Sequence, residues 1–148
     1  MADMTGLKVL IVDDVPQVRR ELGNILPLVG DIEIVGEAAN GCEAISKAEA
    51  LRPQVILMDL EMPVMDGYEA TRQIKAQCPA SRVIALSVHA YEAARHKAAQ
   101  AGVDGFIVKG APVETLVRAI IEKKEDIERN EIIERNEIIE RNERNEKP

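Results

Sequence analysis

The sequence predicts an α/β fold: one parallel sheet of five strands in the doubly wound order 2-1-3-4-5, with helices on both faces. Two observations carry this. Five short apolar runs rich in β-branched residues alternate with five stretches of helical spacing, and the loops between them are short. Each strand-to-strand connection is then a right-handed crossover whose helix buries its apolar stripe on the sheet. Secondly, four of the runs end on residues that carry chemistry, Asp13-Asp14, Asp59, Ser87 and Lys109. In an open parallel sheet the carboxyl ends of the strands are where ligands bind.

The elements follow in chain order. Leu7-Lys8-Val9-Leu10-Ile11-Val12 reads as a buried strand that runs into Asp13-Asp14, and Pro16 stands where a first helical turn tolerates it. From Val15 the residues Val18, Leu22, Ile25 and Leu26 keep helical spacing, and Pro27 with Gly30 is expected to close that helix. Ile32-Glu33-Ile34-Val35-Gly36 is a second strand, near an edge because Glu33 alternates with its neighbours. Asn40 can cap a helix carrying Ala44, Ile45, Ala48 and Leu51, which stops before Pro53. Val55-Ile56-Leu57-Met58 is a strand buried on both faces that meets Asp59, with Pro63 and Asp66-Gly67 bounding it downstream. A helix is expected from about Gly67 through Ile74 to Gln77, then a strand Val83-Ile84-Ala85-Leu86 ending at Ser87. An Ala-rich helix over about residues 89 to 101 ends at Gly102, and Phe106-Ile107-Val108 is a fifth strand ending at Lys109. Val113, Leu116, Val117, Ile120 and Ile121 mark a last amphipathic helix.

At 148 residues, 46% hydrophobic and 30% charged, the chain is sized for one domain, expected over residues 1–121, with an appendage over 122–148. With no Trp, one Phe and two Tyr the core must be aliphatic, and aromatic platforms for stacking bases are lacking. A net charge of -7 argues further against direct nucleic-acid binding by this chain. Cys42 and Cys78 have neither disulfide-framework nor zinc spacing, which suits a reducing cytoplasm. The first residues lack a signal peptide's basic segment and apolar run, and no apolar stretch approaches about 18 residues, so a cytoplasmic protein without membrane contact is expected.

Under the order 2-1-3-4-5 the first and third strands are neighbours across the switch point, which brings Asp13, Asp14 and Asp59 together, with Ser87 and Lys109 closing strands at the same end. Residues 7 to about 121 resemble a two-component response-regulator receiver domain, a flavodoxin-like fold. The resemblance rests on Asp13-Asp14 after the first strand, Asp59 with Met62-Pro63-Val64-Met65-Asp66-Gly67 behind it, Ser87, and Phe106 three residues before Lys109. The segment from Lys109 to Ile120 is similar to receivers joined to a C-terminal helix-turn-helix DNA-binding domain, which is not expected in this chain.

Three carboxylates held close repel by roughly 4 kcal/mol per pair at about 4 Å and an effective dielectric near 20. A hard divalent cation in an oxygen site answers this, and Mg²⁺ leaves room for phosphate oxygens. The resemblance implies that Asp14 and Asp59 bind Mg²⁺ directly, Asp13 acts partly through water, and the Glu61 backbone carbonyl supplies another ligand. It makes Asp59 the nucleophile that becomes an aspartyl phosphate, with Lys109 stabilising the transferring charge and the Ser87 hydroxyl donating to a phosphoryl oxygen. Ser87 and Phe106 would form the switch, Phe106 standing where a Tyr is often found, and the changing face would span the fourth helix, fifth strand and last helix. Glu61 and His89 would lie at the rim and tune the phosphate's lifetime. Gly110 stands where the family often has Pro, which leaves a cis peptide after Lys109 in question.

The partners so implied are a sensor histidine kinase or phosphotransfer protein, and a second copy or a downstream protein target. No enzyme activity is expected beyond self-phosphorylation and self-dephosphorylation at Asp59. Two alternatives stand beside this signalling switch. One is the receiver half of a DNA-binding regulator; the other is a metal-dependent aspartyl-phosphate phosphatase, for which a lid or cap domain is expected and none is visible. After residue 122, Ile127-Glu128-Arg129-Asn130-Glu131-Ile132 recurs from Ile133 and partly from Ile139, a period of six that is not a coiled-coil heptad. Glu125/Arg129, Glu131/Arg135, Glu137/Arg141 and Glu140/Arg144 are favourable i, i+4 pairs, so a charged helical extension of the last helix is expected.

Overall fold

A computed structural model of the chain describes residues 6–122, and the repeat segment lies outside the described residues. The elements are β1 (Leu7–Val12), α1 (Pro16–Val29), β2 (Ile32–Ala38), α2 (Gly41–Leu51), β3 (Val55–Asp59), α3 (Gly67–Gln77), β4 (Arg82–Ser87), α4 (Glu92–Ala101), β5 (Gly105–Val108) and α5 (Val113–Ile121). The strands pair in parallel in the order β2-β1-β3-β4-β5, as expected from the alternation of strand and helix.

Alternate residues of each central strand serve opposite faces, so the apolar runs have no polar interruption. Leu10, Val12, Ile56 and Met58 pack with Ala44 and Ala48 of α2 and Ala70 and Ile74 of α3. Val9, Ile11, Val55, Leu57 and Ile84 pack with Leu26 of α1 and with Leu116 and Ile120 of α5. A third cluster of Leu60, Tyr68, Ala85, Ala98 and Ala101 lies under α4, and Phe106 packs against it. Alanine on the inner faces of α2 and α4 lets those helices approach the sheet closely. Asn40 caps α2 through its side chain, which accepts from the Glu43 N–H at 2.9 Å.

Gly30 closes α1 as expected, with Pro27 inside the helix rather than at its end, and one boundary differs from the sequence expectation. Pro27 is exposed and its missing N–H orphans only the Gly23 carbonyl, while Gly30 still donates to Leu26 O at 3.1 Å, so the last turn survives. The fourth helix begins at Glu92, not near residue 89. Ser87 Oγ takes the His89 N–H, and residues 88–91 bend without forming a helical turn, with Tyr91 extended at the N-cap. The peptide after Lys109 is trans, and Gly110 adopts φ +93.

Gly67 starts α3 against the end of β3: a Cβ there would lie 2.2 Å from Asp59 O and 2.8 Å from Leu60 Cα. At Gly110 nothing lies within 4 Å and only the positive φ opposes a side chain. Gly67→Ala should therefore cost at least about 3 kcal/mol through forced backbone movement, and Gly110→Ala about 1 kcal/mol. Urea melts of both variants decide this; equal midpoint shifts would refute the close-packing argument.

Candidate functional site

β1 and β3 are in register with Val12 beside Met58, so the next residues, Asp13 and Asp59, leave the sheet side by side. One carboxylate oxygen from each of Asp13, Asp14 and Asp59 lies within 4.8 Å of the other two. Asp13 and Asp59 are buried, at 0% and 3% exposure, whereas Asp14 is exposed. Asp13 is held at every polar atom: its N–H donates to Ala38 O at 3.0 Å, its Oδ1 accepts from Val15 N at 2.9 Å, and its carbonyl accepts from Arg19 Nη1 at 2.7 Å.

Lys109 leaves the end of β5 with its N–H on Ser87 O at 2.8 Å. Its ammonium contacts Asp13 Oδ2 at 3.0 Å and Asp59 Oδ1 at 3.3 Å. Burial alone would depress the Lys109 pKa, but the bonds and charges of Asp13 and Asp59 outweigh it and push the pKa up. The lysine assigned from sequence to the transferring phosphoryl group thus already pairs with two of the three carboxylates. Burial pushes the Asp59 carboxyl up to about 6, opposed by the Lys109 charge and reinforced by Asp13. Asp59 Oδ1 also accepts from Glu61 N at 3.2 Å, so both of its bonds fall on one oxygen.

The loop after β3 is built to hold this geometry. Met65 N donates to Pro63 O at 2.8 Å around Val64 at φ +70, a γ-turn centred on an exposed β-branched residue. Gly67 N returns to Leu60 O at 3.0 Å, and the Asp66 side chain caps α3 by accepting from Glu69 N at 2.9 Å. Ser87 is buried, and its Oγ accepts from His89 N at 3.0 Å, which leaves the hydroxyl proton free to be donated. Glu61 and His89 meet at the rim, Oε1 to Nε2 at 3.0 Å, both half-exposed. Phe106 lies behind, its ring 4.6 Å from the Arg95 guanidinium carbon.

Arg19 and Arg95 were not singled out from sequence. Arg19 could have been noticed, because helical side chains lean toward the N-terminus and a long one in the first turns of α1 points back at the strand end. It also pairs with Glu37 Oε1 at 3.1 Å on β2. Arg95 has no such signal, since its contacts are with a loop and with β5.

The family model described as the response regulator receiver domain matches residues 9–121. This chain belongs to that family. The receiver is 44% identical over 114 residues to the response regulator protein VraR of Staphylococcus aureus, a match covering 77% of this chain and 54% of that protein. It thus spans about half the length of the curated relatives it matches. Among solved structures, the receiver domain of NarL from Mycobacterium tuberculosis superposes with a TM-score of 0.75 at 32% identity, covering 78% of this chain and 94% of that one. A LuxR-family DNA-binding response regulator from Staphylococcus aureus gives 0.73 at 29% identity over 77% and 95%. A CheY from Borrelia burgdorferi, solved with CheX, BeF₃ and Mg²⁺, gives 0.72 at 26% identity over 78% and 87%. Among the described residues of this receiver no helix is long and apolar enough to cross a membrane.

Three carboxylates and no nitrogen or sulfur make a donor set that fits a hard divalent cation, with Asp14 open to solvent for its entry. Without one, Asp59 has a folded-state pKa of about 6 against an ordinary value of 3.8. The folded receiver therefore binds that proton more tightly than the unfolded chain: its stabilising contribution is complete below the ordinary value and lost as pH rises through about 6. In chelator, Asp59→Asn should be more stable than wild type by about 3 kcal/mol at around pH 8, with the gap closing as pH falls through about 6 toward the ordinary carboxylate value. Urea melts across that range test this, and a gap independent of pH would place the cause elsewhere. Mg²⁺ at about a hundredfold over its Kd should stabilise wild type by about 2.7 kcal/mol, and Asp14→Ala should lose most of that gain. Equal melting shifts in both would refute the metal assignment.

Proposed function

We propose that Asp59 is the phosphoacceptor of a signalling switch that takes a phosphoryl group from the phosphohistidine of a sensor kinase or phosphotransfer protein. The observation that carries this is the buried Asp59 carboxylate with both hydrogen bonds on Oδ1, which leaves its second oxygen without a hydrogen-bond partner among the described residues. A P–O bond forms to Asp59 as the P–N bond to the donor imidazole breaks, and that imidazole leaves with the bonding pair. Lys109 lies against the accepting carboxylate and can follow the charge onto the phosphoryl oxygens without reorganisation. Ser87 has its hydroxyl proton available for one of those oxygens. Asp13, Asp14 and Asp59, with the Glu61 carbonyl, would hold Mg²⁺, which supplies further neutralisation of the transferring charge. The likeness to a CheY solved with BeF₃ and Mg²⁺ supports the same chemistry.

The working unit is residues 1–121, and its changing surface is α4, β5 and the start of α5, toward a second copy or a downstream protein. A second reading is favoured by the match to only 54% of VraR and by the LuxR-family neighbour. In it this chain is the receiver half of a DNA-binding regulator, with DNA contacted by a separate output domain and not by these residues.

With Mg²⁺ and acetyl phosphate, intact-mass measurement should find one added phosphoryl group, lost in Asp59→Asn. Lys109→Ala should slow its appearance by about 100-fold. A mass gain that survives Asp59→Asn would move the nucleophile to another carboxylate.

A further inference from the structure

We propose that Arg95 is a positioning residue for Ser87: it ties the loop between β4 and α4 to the Phe106 ring and so opposes movement of the Ser87 hydroxyl toward a phosphoryl group. This rests on Asp59 being the phosphoacceptor.

Arg95 stands in the first turn of α4, where a cation opposes the helix dipole and Tyr91 offers no side-chain cap. Helix formation alone does not favour an arginine there. Its side chain is exposed, so burial does not explain it either. Its contacts do. Arg95 Nε donates to the Ala90 carbonyl at 3.1 Å, and the guanidinium carbon lies 4.6 Å from the Phe106 ring centroid. A planar guanidinium can donate from its edge while stacking by its face, so one rigid group makes both contacts at once.

Ala90 is the next residue after His89, whose N–H is held by Ser87 Oγ at 3.0 Å. A continuous path therefore runs from the Ser87 hydroxyl through the His89 N–H, the Ala90 carbonyl and the Arg95 guanidinium to Phe106. Where reaching a phosphoryl oxygen shifts Ser87 Oγ itself, the bond from the His89 N–H draws residues 88–91 with it. The Ala90 carbonyl moves with them, and Arg95 cannot then keep both the carbonyl and the ring. Together one cation–π contact and one hydrogen bond bias the population by about tenfold. Removing them should lower by that factor the ligand concentration needed to switch the receiver.

Phe106 is the only phenylalanine in the chain. Ring-¹³C phenylalanine therefore reports this one side chain in the 148-residue chain. With Mg²⁺ present, beryllofluoride is titrated into wild type, Arg95→Ala and Arg95→Lys. The ring resonance of Arg95→Ala without beryllofluoride should lie nearer the saturated wild-type position, and its midpoint should fall about tenfold. Arg95→Lys, which can stack or donate but not both, should fall between. If wild type responds and Arg95→Ala keeps its midpoint and resting shift, Arg95 has no positioning role. If the wild-type ring does not respond at all, the phosphoacceptor reading fails and this proposal falls with it. Thermal melts of the variants should match wild type, because an exposed side chain is removed; a lower midpoint accompanied by a large loss of melting temperature would also count against a specific coupling.

Discussion

Two carboxylates buried beside one another at the ends of adjacent strands would drive that end of the sheet apart, and the Lys109 ammonium is what allows them to stay. It sits 3.0 Å from Asp13 and 3.3 Å from Asp59, reaching from the end of the edge strand β5. Its backbone is fixed to Ser87 O, so the charge balance of the acid pair also depends on the pairing of β4 with β5. The site consequently depends on four of the five strands, drawing Asp13 and Asp14 from the end of β1, Asp59 from β3, Ser87 from β4 and Lys109 from the end of β5.

The same balance leaves Asp59 poised. Burial holds its pKa near 6 even with a lysine against it, because desolvation and the neighbouring Asp13 outweigh the Lys109 attraction. A divalent cation held among these carboxylates would add positive charge, and because it would bind the folded state it would stabilise the receiver. The strain at Val64 and the tight seating of Gly67 under Asp59 belong to the same economy, since a loop with little freedom presents the carboxylate in one place. The capped start of α3 and the Gly41 to Met65 O bond anchor that loop at both sides.

Fold and acid cluster were both legible in the sequence for one physical reason. Strands buried on two faces, such as Val55–Met58, read as unbroken apolar runs, and the first polar residue after each marks the sheet's carboxyl edge. Strand order then followed from crossover handedness and the position of the switch point. Boundaries were less legible where a local bond competed with the pattern. Pro27 reads as a helix stop, yet it sits in a last turn whose other hydrogen bonds persist. Residues 89–91 read as helix, yet Ser87 Oγ takes the His89 N–H and the helix starts only at Glu92.

By itself the sequence determined the architecture, the family and the strand-end placement of Asp13, Asp14, Asp59, Ser87 and Lys109, because periodicity and strand-end polarity are local signals that survive in one dimension. Only the tertiary structure decided that Lys109 bridges Asp13 and Asp59, that Glu61 meets His89, and that Arg19 and Arg95 tie the site to β2 and to Phe106. These are contacts of long, rotatable side chains. Their ends find partners by distance and charge after the sheet has closed, and nothing in their spacing along the chain encodes which partner that will be.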